Sequence, residues 1–335
     1  MNVSLYTGKE KKMDNKTYDV ICIGQTVQDI IITEVPENAL SGDCDTVLAK
    51  DLVLTSGGDA VNEASMLAKL GNRAALLTRL DNRSVGDMVY NDLKENGVDT
   101  SLILRADDCR TFSTVIVVKP DGSHSFLRGP GRNCALTLPE IDLALLGQTR
   151  MVTAASLFGL SGLDRNGIDV IFREAQKAGA ITVADMNFDE EGLGPDAVAG
   201  VYPYTDYLMP SLDEAVYVTG KKDPDAIADF FLEAGVGHVI LKLGGEGSFF
   251  KDKKERFFTD PYKVTPLDTT GCGDNYVAAF LHFLLKGKSH RECARFASAA
   301  GALNSLGIGA HHHIKNEQQV LEFMETAQQV KLNRE

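Results

Sequence analysis

The chain has no tryptophan, and no apolar run approaches the roughly 18 residues a membrane-spanning helix needs, so no helical span is expected. Residues 1–16 carry no apolar core of a secretory signal. Basic residues are in deficit: 34 Lys and Arg stand against 47 Asp and Glu, a net charge of −13. That argues against non-specific nucleic-acid binding, which rests on Lys and Arg contacts to phosphate. The six cysteines, Cys22, Cys44, Cys109, Cys134, Cys272 and Cys293, form no C-x-x-C pair and no zinc-ligand spacing. Several sit in apolar or periodic segments, and they read as free thiols in a reducing, cytoplasmic setting. There is no internal repeat, no Pro/Gly/Ser-rich linker and no G-x-x-x-x-G-K-[ST] phosphate loop.

What is present is ordinary globular composition, 44% apolar and 24% charged. Residues 1–12 are polar and aperiodic, so 1–16 is expected to be a disordered leader, with Met13 as an alternative start. Short apolar runs predict strands at 19–23, 30–32, 52–55, 74–78, 151–155, 181–184, 207–209 and 239–242. Helical periodicity predicts helices at 59–70, 86–96, 164–178, 211–219, 225–234, 273–285, 291–306 and 316–330. Two hairpins are expected, one at 111–128 broken by Pro120-Asp121-Gly122, the other at 248–258. Alternating strands and helices predict an α/β fold with a mostly parallel central sheet and helices on both faces. The segments near 30, 50 and 120 fit a small separate β-sheet.

The chemistry concentrates in Asp268-Thr269-Thr270-Gly271-Cys272-Gly273-Asp274-Asn275-Tyr276. An apolar helix follows at once, so the N–H groups of Gly271, Cys272, Gly273 and Asp274 gather at a helix N-terminus. Unpaired N–H groups and the positive dipole end make that an anion site. Asp274 in such a site could accept a proton from a hydroxyl beside a phosphate; alone, it could also be a helix cap. A dinucleotide fingerprint is disfavoured, because the third glycine is missing and no buried strand precedes.

D-T-T-G-C-G-D resembles the D-T-x-G-A-G-D signature of the ribokinase-like (PfkB) family of carbohydrate kinases. Asp29 in G-Q-T-V-Q-D, Gly57-Gly58-Asp59-Ala60-Val61-Asn62, Asp185-Met186-Asn187, Gly244 with Gly247, and Gly309-Ala310 match further family elements in order. The resemblance spans about residues 17–330. It implies one kinase domain with a discontinuous β-lid from about 29–56 and 109–132, and ATP- and Mg2+-dependent phosphorylation of a sugar hydroxyl. A monovalent cation such as K+ is left open.

The implied roles follow residue by residue. Asp274 is the general base, and the backbone of Gly271, Cys272, Gly273 and Asp274 forms an anion hole. Asp29, Gly57, Gly58, Asn62, Asn133, Asp185 and Asn187 face the sugar. Lys242, Gly244, Gly247, Thr269 and Asn304 face the nucleotide, and Glu214 serves the metal. Four positions depart from the family. Cys272 replaces alanine. Ser211 replaces the asparagine of N-x-x-E and makes S-x-x-E a capping box in its own right. Lys242 stands where many members carry threonine, and either reaches a phosphate or ends a strand at the surface. Asp189 stands where an arginine is usual, which points to an unphosphorylated sugar or polyol unless Arg110, Arg128 or Arg132 compensates. Apolar lid residues 115–117 suggest a lid-to-lid homodimer. His311, His312 and His313 are expected in an exposed loop, with adventitious metal binding as the alternative, and Asp59 as a plain helix cap. Two rival readings remain: a nucleoside or other small-alcohol kinase, and a non-catalytic sensor. The sensor would not need Asp274.

Overall fold

The structure is a computed structural model and describes residues 16–36, 46–119, 124–128, 134–332 and 334. Residues 1–15 of the expected leader, Cys44, the Pro120 turn, Arg132 and Asn133 lie outside the described residues.

β1 (Tyr18–Ile23) is the apolar strand expected near the start, and its burial is continuous after Asp19. Its side chains alternate between two cores: Val20 and Cys22 join one, Ile21 and Ile23 the other. A strand covered on both faces must be apolar at every position, which is why it reads as a run. β1 pairs in parallel with β4 (Ala74–Asp81) and β8 (Thr149–Leu157). β9 (Ile181–Met186), β10 (Tyr207–Leu208) and β11 (His238–Lys242) continue outward from β8. The other edge is β5 (Ile103–Ala106), which the sequence reading missed. The second hairpin, β12 (Ser248–Lys251) and β13 (Arg256–Thr259), extends the same sheet antiparallel. The result is a nine-stranded sheet, β13-β12-β11-β10-β9-β8-β1-β4-β5.

Helices cover both faces. One carries α1 (Asp59–Lys69), α2 (Ser84–Glu95), α6 (Cys272–Leu285), α7 (His290–Asn304) and α8 (Glu317–Thr326). The other carries α3 (Ile168–Lys177), α4 (Leu212–Thr219) and α5 (Pro224–Glu233). α3 starts four residues later than periodicity predicts. The reason is Asp164, whose carboxylate accepts the Phe158 and Leu160 N–H groups at 3.0 and 2.8 Å and ties the preceding segment into turns.

The lid is a separate four-stranded sheet. It comprises β3 (Asp51–Gly57), β2 (Val27–Thr33), β6 (Phe112–Val118) and β7 (His124–Arg128), in that order. Asp29 of β2 lies between Thr55 of β3 and Thr114 of β6. Leu52, Leu54, Phe126 and Leu127 of this sheet are about half exposed.

The cysteine reading needs correction. Cys109 and Cys134 form a disulfide across the base of the β6–β7 segment, with Cα atoms 4.9 Å apart. Their 25-residue separation hid the pairing in the sequence. Cys22, Cys272 and Cys293 are free, as expected. No helix among the described residues is long and apolar enough to cross a membrane.

Candidate active site

The signature loop opens α6. Gly271 is its N-cap in left-handed conformation, φ 71°. A Cβ there would lie 2.3 Å from the Ala310 carbonyl oxygen, so only glycine fits. Asp268 holds the loop from below: one carboxylate oxygen accepts from the Thr270 N–H and hydroxyl, the other from the Gly309 N–H at 2.9 Å. Asn275 donates to the Gly271 and Ala310 carbonyls at 2.7 and 2.6 Å. Asp268 and Asn275 thus brace the turn that opens α6, within which the Cys272 N–H donates to the Thr269 carbonyl at 3.2 Å.

Two cavities meet on this loop. One, of about 460 Å³, runs past Lys242, Gly244, Gly247, Tyr262 and Ala302. The other, of about 790 Å³, lies under the lid beside Asp29, Phe126 and Arg128. Asp59, Asn187, Ser211, Glu214, Thr269 and Asp274 line both. Of the expected nucleotide-side residues, Lys242, Gly244 and Gly247 line the first cavity, and of the expected sugar-side residues, Asp29, Gly58 and Asn62 line the second; Asp185, expected on the sugar side, lines only the first, because its pairing with Lys242 draws it there.

Asp274 Oδ2 accepts from Asn62 Nδ2 at 2.6 Å. Burial, with the neighbouring charge of Asp59, raises its carboxyl well above the usual range. Asn62 is engaged at both ends, since its Oδ1 lies 2.9 Å from His311 Nδ1. It therefore orients the acid.

Asp59 is more than the cap expected of it. Gly58 is the N-cap of α1, and Asp59 turns into the cleft, where Ser156 Oγ and Asn187 Nδ2 donate to its Oδ2 at 2.5 and 3.2 Å. Burial pushes its carboxyl above the usual range too. The available signal was a carboxylate directly after Gly57-Gly58, but helix capping explained it equally well.

Lys242 is not a surface strand end. Its ammonium bonds Asp185 within the carboxylate cluster. Burial works against that charge, but Asp185 and Glu214 outweigh it and hold the amine protonated. Asp185 also accepts the Met186 N–H at 2.8 Å. Glu214 serves two purposes: it closes the capping box with Ser211 and lines both cavities, and burial raises its carboxyl.

On the lid side, Gly57 makes room for Asp29, because a Cβ there would sit 1.9 Å from Asp29 Oδ2. Burial pushes the Asp29 carboxyl up to about 7. Gly58, φ 97°, passes close to the Gln25 carbonyl oxygen. Arg128 pairs with Glu190. Asp189 points away to a turn, accepting the Leu193 and Gly194 N–H groups at 2.8 and 2.7 Å and the Tyr217 hydroxyl at 2.8 Å.

Two further placements differ from expectation. Asn304 does not line the nucleotide-side cavity; it is fully buried and donates to the Thr270 carbonyl at 3.0 Å, bracing the loop from behind. His311 is fully buried rather than exposed. Cys272 behaves as a small filler, with burial pushing its thiol up to about 12.

Residues 17–316 match the pfkB family carbohydrate kinases. The chain is 26% identical over 279 residues to 2-dehydro-3-deoxygluconokinase of Bacillus subtilis (strain 168), covering 80% of this chain and 86% of that protein. It is also 26% identical over 297 residues to the ribokinase of Haemophilus influenzae, covering 84% and 92%. Its fold superposes on Arabidopsis thaliana ribokinase complexed with ribose and ATP, with TM-score 0.75 and 23% identity over 92% of this chain and 99% of that one. A provisionally assigned ribokinase II from E. coli, solved in complex with ATP and Mg2+, gives TM-score 0.80 at 22% identity over 92% and 99%. The match runs over nearly the whole described chain, signature loop included, and the protein is a sugar kinase of the pfkB carbohydrate kinase family.

Proposed function

We propose that the protein transfers the γ-phosphoryl group of ATP to a hydroxyl of a small, unphosphorylated sugar or polyol, with Asp274 as general base. The observation that carries this is the meeting of two cavities at Asp274 and the N-terminus of α6. The neighbours solved with ATP, Mg2+ and ribose support it. The residues suit both groups. The cavity beside Gly244, Tyr262 and Ala302 has apolar walls for a base, and the N–H groups of 271–274 suit phosphate. The carboxylates of Glu214, Asp59 and Asp185 offer hard oxygen donors, with Glu214 the residue we assign to Mg2+. When bound, Mg2+ would supply positive charge against the phosphates.

Asp29 accepts hydroxyl protons of the sugar and orients it. Asn62 holds the Asp274 carboxylate toward the cleft. Asp274 takes the proton of the attacking hydroxyl as its oxygen bonds to phosphorus and the bond to the ADP oxygen breaks. The N–H groups of Gly271, Cys272, Gly273 and Asp274 stabilise the charge on the transferred group. Lys242 offsets part of the repulsion among Asp185, Glu214 and Asp274. An uncharged substrate fits a sugar side whose described arginine, Arg128, is already paired with Glu190. The half-exposed lid residues Leu52, Leu54, Phe126 and Leu127 favour a lid-to-lid homodimer, which light scattering tests: a monomer at micromolar concentration overturns it. Dependence on ATP favours a cytoplasmic setting.

A coupled ADP-release assay across aldoses, ketoses, polyols and nucleosides tests the reading. Turnover on a sugar or polyol is expected. Turnover on nucleosides alone overturns the substrate class. No turnover, with ligand-induced thermal shifts retained, identifies a sensor.

A further inference from the structure

The run His311-His312-His313 follows Gly309-Ala310 and has no part in the transfer described above. It folds back against the root of the lid. His311 is fully buried, and its Nδ1 lies 2.9 Å from Asn62 Oδ1. Asn62 spends its amide hydrogens on Asp274, so its oxygen can only accept. The hydrogen of His311 therefore sits on Nδ1, and Nε2 presents a lone pair. That Nε2 has no hydrogen-bond partner, although it is buried. It faces Asp92 Oδ2 at 3.8 Å, too far for a hydrogen bond. A buried lone pair facing a carboxylate is unfavourable unless something positive lies between them.

A third donor stands beside this pair. Ligand-capable atoms of Asp92, His311 and His312 all lie within 4.8 Å of one another. Each is held by a partner outside the cluster. Ser56 Oγ bonds Asp92, Thr55 Oγ1 bonds His312 Nε2, and Lys69 Nζ bonds the His311 carbonyl at 2.5 Å rather than the ring. His312 is exposed, which offers an ion a way in.

We propose that Asp92, His311 and His312 form a binding site for a borderline divalent cation of the zinc class. Two imidazoles and one carboxylate are a donor set zinc accepts with tetrahedral geometry, leaving a fourth place for water. Bonds of about 2.0–2.1 Å put neighbouring tetrahedral ligands roughly 3.3 Å apart, so the 3.8 Å gap needs a small contraction. The hydrogen bond from His311 Nδ1 to Asn62 is the outer-shell contact that orients a metal-bound histidine. Asp92 belongs to α2, His311 and His312 to the loop after α7, so the ion would fasten that loop at the base of β3. It would also lie one residue, Asn62, away from Asp274. The second His-rich cluster, His238, Asp252 and His290, lacks this vacancy. There His238 Nδ1 bonds the Asp206 carbonyl at 2.9 Å, and His290 bonds Glu255 at 3.0 Å and Tyr207 at 3.2 Å.

The test needs neither sugar nor nucleotide, so it stands apart from the kinase reading. Full-length protein is stripped with a chelator, dialysed and titrated with Zn2+, and separately with Co2+. One Zn2+ per chain, a raised melting temperature, and visible d–d absorption of tetrahedral Co2+ are expected. His312→Ala and Asp92→Asn should each weaken binding by at least the roughly 10–100-fold that loss of an outer-shell partner costs. His312 is exposed, so that variant remains informative if Asp92→Asn fails to fold. Absence of binding at micromolar Zn2+ overturns the proposal. So does binding as tight in His312→Ala as in the unmodified protein, which would put the ion elsewhere.

Discussion

The two walls of the cleft are built in different ways. The wall at the head of α6 is one stretch of chain: residues 268–275 supply the turn, the N–H groups and Asp274, and Asp268 and Asn275 brace it locally. The opposite wall is assembled. Asp29 comes from β2, its room from Gly57 of β3, Arg128 from β7, and Asp59 from the first residue of α1. A local wall can place atoms tightly because few bonds separate them. An assembled wall draws on several elements, so a change in one of them alters it without disturbing the turn that opens α6.

Substitutions on each side should separate these walls. The largest effect is expected at Asp274. Asp274→Asn should lower kcat by roughly 10²–10⁴ while nucleotide binding and melting temperature hold. Near-normal turnover would remove Asp274 from the chemistry and dissolve the distinction between the walls. Asp29→Asn should act on the other wall alone. Loss of hydrogen bonds to a charged acceptor, about 1.5–3 kcal/mol, raises KM for the sugar roughly 10–150-fold. KM for ATP should not follow, and a parallel rise in both would show that Asp29 serves the whole cleft.

The acidity of these groups links the walls. Asp274 and Asp29 must be ionised to accept protons, and burial raises both carboxyls, Asp29 to about 7. kcat/KM should therefore fall at least tenfold per pH unit below about 7, and up to about a hundredfold per unit where both groups are protonated. Stability runs the other way. The folded protein holds these protons at pH values where the unfolded chain, near 4, has released them, so these groups weaken folding as pH rises from about 4 through 7. Activity and melting temperature measured across that window should diverge; a flat kcat/KM down to pH 5 would contradict the upward shift of these carboxyls. The smallest effect belongs to Ser211. Its hydroxyl accepts the Glu214 N–H at 3.3 Å, and Ser211→Ala should cost about 1 kcal/mol of stability in urea unfolding. A loss of activity beyond that would give Ser211 a direct role on the shared wall.

How far each wall could be read from the chain follows from the same contrast. Gly271, Gly273 and Asp274 were legible because their geometry is set within one turn, as were β1 and the helical faces, where period and burial coincide. Asp59 was legible only as a cap, since a carboxylate at a helix start satisfies that role without any ligand. Lys242 could have pointed either way from the end of β11, and only the placement of Asp185 and Glu214 draws it inward. Asn304 has the polarity of a ligand but packs behind the loop.

The sequence by itself determined the alternation of strands and helices, the parallel sheet, the antiparallel lid segment and the glycine turn that opens α6, because each depends on residues close in the chain. Tertiary structure alone decided the rest. It joined Cys109 to Cys134, buried His311 against Asn62 and Asp92, and brought Asp29, Asp59, Asp185 and Glu214 to one cleft. The energy of burying a charge or an imidazole depends on which distant groups surround it, and no local pattern encodes that neighbourhood.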